Sequence, residues 1–417
     1  MSLHCRQKWI SLAMILLITL FFTFIPTGAS SVSSPSSISV DLTTQAISIV
    51  GNDEFNITAN EFNWPGSGTD ADPYYLELSI TAGNPIQVNI KDTTVYFIIN
   101  NSLISGGSSA GIYFENVENA VIANSTISEN NYGIHFVNST DNTIINNTVT
   151  QNQETAIRFQ ESPSNRIINN TVTQNGLSYL ESLSLSSHLA GGILMNPSPH
   201  NNITGNIIQD NFGVGILVRE SNYNRVEDNL ISHNSDFGVH SMGSLYTQYK
   251  FNTISYNGYN PVDTNLDGLH LNSHLAGGIL MNPSHYNLLL NNSIHHNEGD
   301  GVYAHEIMGL EAYNNTIYNN LEHGIELERV NDSIFVQNTI VTNAAYGVKI
   351  NGSNNITLSD NNIMDNTLGD VFIESSSQLV TVTSTETVKS PSNLLPITLF
   401  GLIVLVPIIR RKYWSEN

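Results

Sequence analysis

Two glutamates, Glu326 and Glu328, stand two apart in a run of alternating character. Side chains two apart on a strand share a face at roughly 7 Å, and glycoside hydrolysis works with two carboxyls ~5 to 9.5 Å apart. The pair is therefore the candidate catalytic couple. Arg158, Arg219, His240, Tyr303 and His305 are of the types that hold sugar rings and carboxylates, by stacking and by charge-assisted hydrogen bonds. They are the candidate ligand-binding residues. Asp263-Thr264-Asn265-Leu266-Asp267-Gly268 reads as the first six positions of a calcium loop, where alternating oxygens wrap a hard cation. Its twelfth position is His274 rather than glutamate, which excludes an EF-hand and leaves Asp263, Asn265 and Asp267 as candidate ligands of a simpler calcium site. The competing reading is a polar turn that needs Gly268. His188 and His274 occupy matching places in two copies of one segment, SHLAGGILMNPS, at 187–198 and 273–284, and imidazole is the commonest side-chain metal ligand.

These residues are carried by one unit written ten times. Units open at Gly111, Gly133, Ala156, Gly192, Gly215, Gly238, Gly278, Gly301, Gly324 and Gly347, mostly 23 residues apart. Self-similarity at such a period signals a solenoid. The next position is always Ile or Val, and so is the position sixteen after the opening residue, from Ile127 to Ile363. β-Branched columns suit pleated strands. Nineteen positions on, Asn130 through Asn366 form an unbroken column, and Asn147 through Asn361 form a second that breaks only at Ser125. Asparagine tolerates left-handed backbone, and its amide both donates and accepts, so stacked copies can bond coil to coil. An irregular first coil puts Val88, Ile90 and Leu103 in the core and Asn101 in the asparagine column. Positions two and four after each opening residue are expected to face solvent, whereas Met195 and Met281, three after it, point inward.

Two units are longer, spanning 36 and 40 positions, and both excursions leave after Asn-Gly at Asn175-Gly176 and Asn257-Gly258. Insertions on one edge of a repeat array are where binding usually resides.

The motif G-I-x-[FL]…N-x-[IV]-x-x-N-[TN]-[IV]…N, as in Gly133-Ile134-His135-Phe136 and Asn146-Asn147-Thr148-Val149, resembles that of right-handed parallel β-helix proteins. These are the pectate-lyase-like superfamily, and the resemblance is to its NosD-type and archaeal surface branch. It implies an all-β, right-handed parallel β-helix solenoid of about eleven coils. It also implies that enzyme clefts, where present, lie on the face of the first strand, and that a NosD-type relative handles copper, with His188 and His274 as its candidate ligands here. The aspartate motifs of polygalacturonases and the calcium-holding aspartates of pectate lyases are missing.

The 417 residues carry a formal charge of −22 with only 12% charged residues. That disfavours nucleic acid, which needs a basic face, and leaves divalent cations or neutral sugars as easier partners. Residues 1–29 read as a signal peptide, with Arg6 and Lys8 before the apolar run Trp9 to Ile25, which also removes the lone Cys5. Residues 30–82 read as an N-terminal cap, with a short strand at Ile47 to Val50, and a turn-rich lead-in, 83–374 as the β-helix and 375–392 as a Ser/Thr-rich stalk in which Leu379 to Val382 can first add a closing strand. Residues 393–412 read as a transmembrane helix ending in the stop-transfer cluster Arg410, Arg411 and Lys412. Sequons at Asn56, Asn138, Asn202, Asn331 and Asn351 mark glycan sites of an exported glycoprotein, while Asn146, Asn169 and Asn314 are expected to be buried by the repeat. The expectation is a membrane-anchored protein of the cell surface or a periplasm-like space. It binds carbohydrate or another envelope component without catalysis and requires no cofactor. A polysaccharide lyase or hydrolase and a copper-handling protein are the alternatives.

Overall fold

A computed structural model describes residues 46–81, 83–178, 190–258, 276–383 and 386–387. Among the described residues thirty-nine strands form three parallel sheets of thirteen, and each sheet takes every third strand in chain order. The chain therefore coils, visiting the first, second and third sheets in turn. Twelve turns separate Ile47–Val50 from Gly369–Ile373 in the first sheet, against the eleven coils expected. The additions lie at both ends. Strands Ile47–Val50, Tyr74–Leu76 and Ser79–Ile80 complete a coil ahead of residue 83, and Gln378–Thr383 pairs with Asn354–Ser359 within the expected stalk.

The sequence columns are the register. Ile134 pairs with Ile157, Val149 with Val172 and Ile325 with Val348. Both β-branched columns are no more than 1% exposed, each such side chain contributing about 1.5–3 kcal/mol of burial. Beside them Phe97, Phe114, Phe136 and Phe159 pack in succession through the core at centroid distances of 5.6, 4.9 and 5.3 Å, the middle pair stacked and the outer two edge-on. Met195 continues the column opposite Phe159, and Met195 and Met281 are fully buried, as expected. Two first-coil assignments shift by one residue: Leu103 is 42% exposed and Ile104 fills the core, while Asn101 is exposed and Ser102 takes the buried place.

The asparagine columns are ladders. At the third corner, between the third and first sheets, Asn152 donates its backbone N–H to Asn175 Oδ1 at 3.1 Å and its amide to the same atom at 2.8 Å. A second ladder runs through Asn147 and Asn170 at the second corner. A third, at the first corner, passes from Asn142 through Asn165 and Asn201 to Asn224. The left-handed backbone sits one residue before these asparagines rather than on them. Gln151, Gln174, His233, Tyr256 and His296 have φ of 55–57°. This also overturns the expected burial of three sequons: Asn146, Asn169 and Asn314 hold such left-handed places and are exposed.

The opening glycines are set by close approach. A Cβ on Gly324 would lie 2.4 Å from Ile340 Cγ2 and 2.6 Å from Gly347 O.

One helix, Gly51–Glu61, was not expected. Its Phe55 is fully buried against Tyr74, Phe97 and Trp64, at centroid distances of 5.7, 4.8 and 6.1 Å. No helix among the described residues is long and apolar enough to cross a membrane. The expected signal peptide and transmembrane segment lie outside the described residues, as do His188, His274, Asp263, Asn265 and Asp267.

Candidate functional site

Parallel register lines up one outward column along the first sheet: Tyr113, His135, Arg158, Leu194, Leu217, His240, Leu280, Tyr303, Glu326 and Lys349. The five candidate ligand residues share this face without forming one site. Arg158 and Tyr303 are five rungs apart, about 24 Å at the usual strand spacing. Solvent exposure along the column also departs from expectation. Leu217, His240, Leu280 and Glu326 are 4, 4, 6 and 3% exposed, because Leu194 and Val214 pack on Leu217 and because Glu326 is clasped by its neighbours.

At the amino-terminal end of this column Arg158 donates from Nη1 to Tyr132 OH at 2.8 Å, with its guanidinium over that ring. Burial, and then the charge of Arg158, hold the His135 imidazole down at a pKa of about 4. Arg219 is exposed and lies 3.7 Å from Glu220.

At the other end, both glutamates of the proposed couple are engaged. Lys349 Nζ lies 2.8 Å from Glu326 Oε1, and His323 Nε2 lies 3.9 Å from Glu326 Oε2. Glu328 accepts the Tyr303 hydroxyl at 2.7 Å and pairs with Arg329 at 2.8 Å, with His305 at 3.8 Å. His305 also contacts Arg329, which in turn holds Glu306 at 3.0 Å. Burial, then the Glu328 carboxylate, push the Tyr303 phenol well above its ordinary pKa. It therefore remains a donor. Both carboxyls are thus committed to ion pairs, Glu326 at only 3% exposure.

Asp300, His323 and Glu326 bring potential ligand atoms within 4.8 Å of one another, all buried. The hydrogen bonds assign the cluster a different role. His323 Nδ1 accepts the Tyr346 N–H at 3.0 Å, so in the neutral ring Nε2 carries the proton and faces Glu326. It has no lone pair to offer an ion. Asp300 Oδ1 accepts the His323 N–H at 2.8 Å, so the cluster braces the third corner. Asp300 and His323 were missed in the sequence, although each directly precedes an opening glycine.

The corners hold a second missed feature. His200, Tyr223, Tyr246 and Tyr286 stack at the first corner, with centroids 5.2, 5.1 and 5.2 Å apart and interplanar angles of 5, 9 and 12°. All four have φ of 56–60°, and the tyrosines are 43–49% exposed. At the third corner His233, Tyr256 and His296 stack at 5.0 Å steps. Glu129, Gln151 and Gln174, earlier in that third-corner column, line a groove of about 410 Å³ with Gln153, Leu177 and Phe212, where the first excursion departs. The signal was visible: aromatic residues recur at the repeat period just before Asn201, Asn224, Thr247 and Asn287.

Comparison with known proteins agrees with the fold. The family described as periplasmic copper-binding protein (NosD) matches residues 178–272. Within that stretch Met195 is sealed in the core and His240 is buried. The periplasmic alginate epimerase AlgG is 13% identical over 82% of this chain and 84% of its own, with a TM-score of 0.49, and a doubly substituted form gives 0.50. The A-module of the Azotobacter vinelandii mannuronan C-5 epimerase AlgE6 is 13% identical over 76% of this chain and 84% of its own, with a TM-score of 0.48. The GH136 lacto-N-biosidase of Eubacterium ramulus is 9% identical over 82% and 68%, with a TM-score of 0.43. At these identities the likeness is one of fold alone. No curated protein matches significantly. The family described as right handed beta helix region matches residues 39–189 and 266–386, well over half of the sequence, and the chain belongs to it.

Proposed function

We propose that this is an exported β-helix protein that binds an extended, neutral carbohydrate chain along its first corner and does not cleave it. The observation that carries this reading is the exposed ladder His200, Tyr223, Tyr246 and Tyr286. A bulky side chain with positive φ is uncommon and costs on the order of 1–3 kcal/mol, of which stacking returns about 0.5–1.5 kcal/mol per pair. The backbone does not require aromatics there. Coils on either side fill the same place with Asp141 and Ser164 or with Asp332 and Asn355, also at positive φ. Ring edges and phenols repeating every 5.1–5.2 Å suit pyranose rings, whose advance along an extended chain is similar. The −22 charge argues against a polyanion.

The engaged state of Glu326 and Glu328 supports binding over turnover. The terminal runs Trp9 to Ile25 and Leu394 to Ile409, the latter followed by Arg410, Arg411 and Lys412, support export and tethering. The test is a glycan array followed by affinity and product assays on the hits. A ligand whose affinity falls at least tenfold in the double variant Tyr223→Ala, Tyr246→Ala, with no reducing ends or unsaturated sugars released, is the expected result. Affinity unchanged in that variant, or turnover of the bound chain, would overturn the proposal.

A further inference from the structure

Adjacent side chains on a strand point to opposite faces. At the third corner His295 ends a strand and His296 takes φ 55°, and this reversal swings the two rings together. Their Nδ1 atoms lie 2.9 Å apart, with the rings at 88° to each other. Each ring is fixed from a different coil: Tyr256 stacks on His296 at 5.0 Å and Tyr318 on His295 at 4.6 Å. Two imidazole nitrogens so placed either share a proton or share an ion. With metal–nitrogen bonds of ~2.0–2.1 Å, a 2.9 Å separation corresponds to an angle at the ion of about 90°. That is the cis angle of a square-planar or tetragonal centre rather than of a tetrahedral one.

We propose that His295 and His296 form a two-nitrogen site for a divalent cation of tetragonal preference, Cu²⁺ or Ni²⁺, with water completing the coordination. The NosD match ends at residue 272, so the geometry of the pair carries the assignment and the match does not.

The surroundings accommodate both states. Without an ion, His296 Nε2 accepts from the Asn319 amide at 3.3 Å, its Nδ1–H donates to His295 Nδ1, and Asn319 Oδ1 accepts from Thr342 Oγ1 at 2.6 Å. Cation binding moves the His296 proton from Nδ1 to Nε2. A half-turn of the Asn319 amide then presents Oδ1 to that N–H and turns Nδ2 toward Thr342 Oγ1, whose hydroxyl still reaches Val341 O at 2.7 Å. No proton is lost and no hydrogen bond is left unmade.

The test is calorimetric titration of Cu²⁺ into the metal-free full-length protein, with electron paramagnetic resonance of the complex. One site with nitrogen hyperfine structure from two imidazoles is expected. Its affinity should fall at least tenfold in both His295→Ala and His296→Ala, each checked for an unchanged melting temperature. Asn319→Asp, which supplies a stronger acceptor for Nε2–H, should tighten binding, as partners of ligating histidines typically act by 10–100-fold. Absence of such a site, or one whose affinity survives either alanine replacement, would overturn the proposal.

Discussion

Tyr256 and Asn257 are neighbours in the chain, yet they answer to different constraints. Asn257 is buried. Its Oδ1 accepts the Asn234 N–H at 3.1 Å, and its amide donates to Ile231 O and Asn297 Oδ1 at 3.0 and 3.1 Å. Tyr256 is 43% exposed, and its column also holds Gln151, Asp210, Asn319 and Thr342 at nearly the same φ. The inner position is held constant because every coil must satisfy the same donors of the coil before it. The outer position needs only a residue that accepts left-handed backbone, so it is free to carry recognition. The second corner repeats this division from Asn147 on, and the first does so from Asn142 to Asn224 and again at Asn287, with Thr247 between, so one face of the ladder builds the protein while the other is available to a ligand.

The sharpest way to break the distinction is to cut the inner ladder. Asn257→Ala orphans the buried Asn234 N–H and takes an acceptor from the Asn234 amide, and at about 1–3 kcal/mol for an unsatisfied group the loss should come to about 2–3 kcal/mol in urea unfolding. A loss under 1 kcal/mol would show that the ladder decorates the stack rather than holding it. His135 probes the boundary from the other side, as an outward-column residue that behaves like an interior one. Its folded pKa of about 4 lies below the ordinary 6.5, so between these values the unfolded chain binds the extra proton. Stability is then full above about pH 6.5 and declines as the pH falls toward 4. Allowing for solvent screening of a partly buried ring, the decline attributable to His135 should be about 1–2 kcal/mol, and it should vanish in His135→Gln. The smallest effect sharpens the comparison most. Tyr246→Asn puts a residue suited to left-handed backbone into the outer ladder and should shift stability by less than about 1 kcal/mol. A larger loss would make the aromatic ladder a structural brace.

What the sequence made legible follows the same line. The β-branched and asparagine columns were readable because each coil imposes an identical demand, and the demand appears as an identical residue. Exposure on the first-sheet face was not readable in that way. Glu326 looks solvent-facing from its own strand, and only Lys349 one coil on and His323 at the preceding corner bury it. The helix Gly51–Glu61 escaped because its only fully enclosed side chains, Phe55 and Ala59, make too short a pattern to stand out beside thirty-nine strands. The aromatic corners were missed for a different reason. They sit on turns, where the strand period makes no demand on side-chain type, although His200, Tyr223, Tyr246 and Tyr286 recur openly one residue before the first-corner column.

The ladder also bears on how the protein ages. Asn175-Gly176 and Asn257-Gly258 are, with Asn351-Gly352, the Asn-Gly steps of the sequence, the dipeptide type most prone to deamidation, which proceeds when the glycine nitrogen attacks the asparagine side-chain carbonyl. Here Gly176 N–H is committed to Asn152 O and Gly258 N–H to Asn234 O, at 3.0 and 2.9 Å, and each asparagine oxygen is held by the coil before it. Ring closure to a succinimide would have to wait for that coil to let go. An isoaspartate at either position would thus be a chemical record of local opening beside the two excursions.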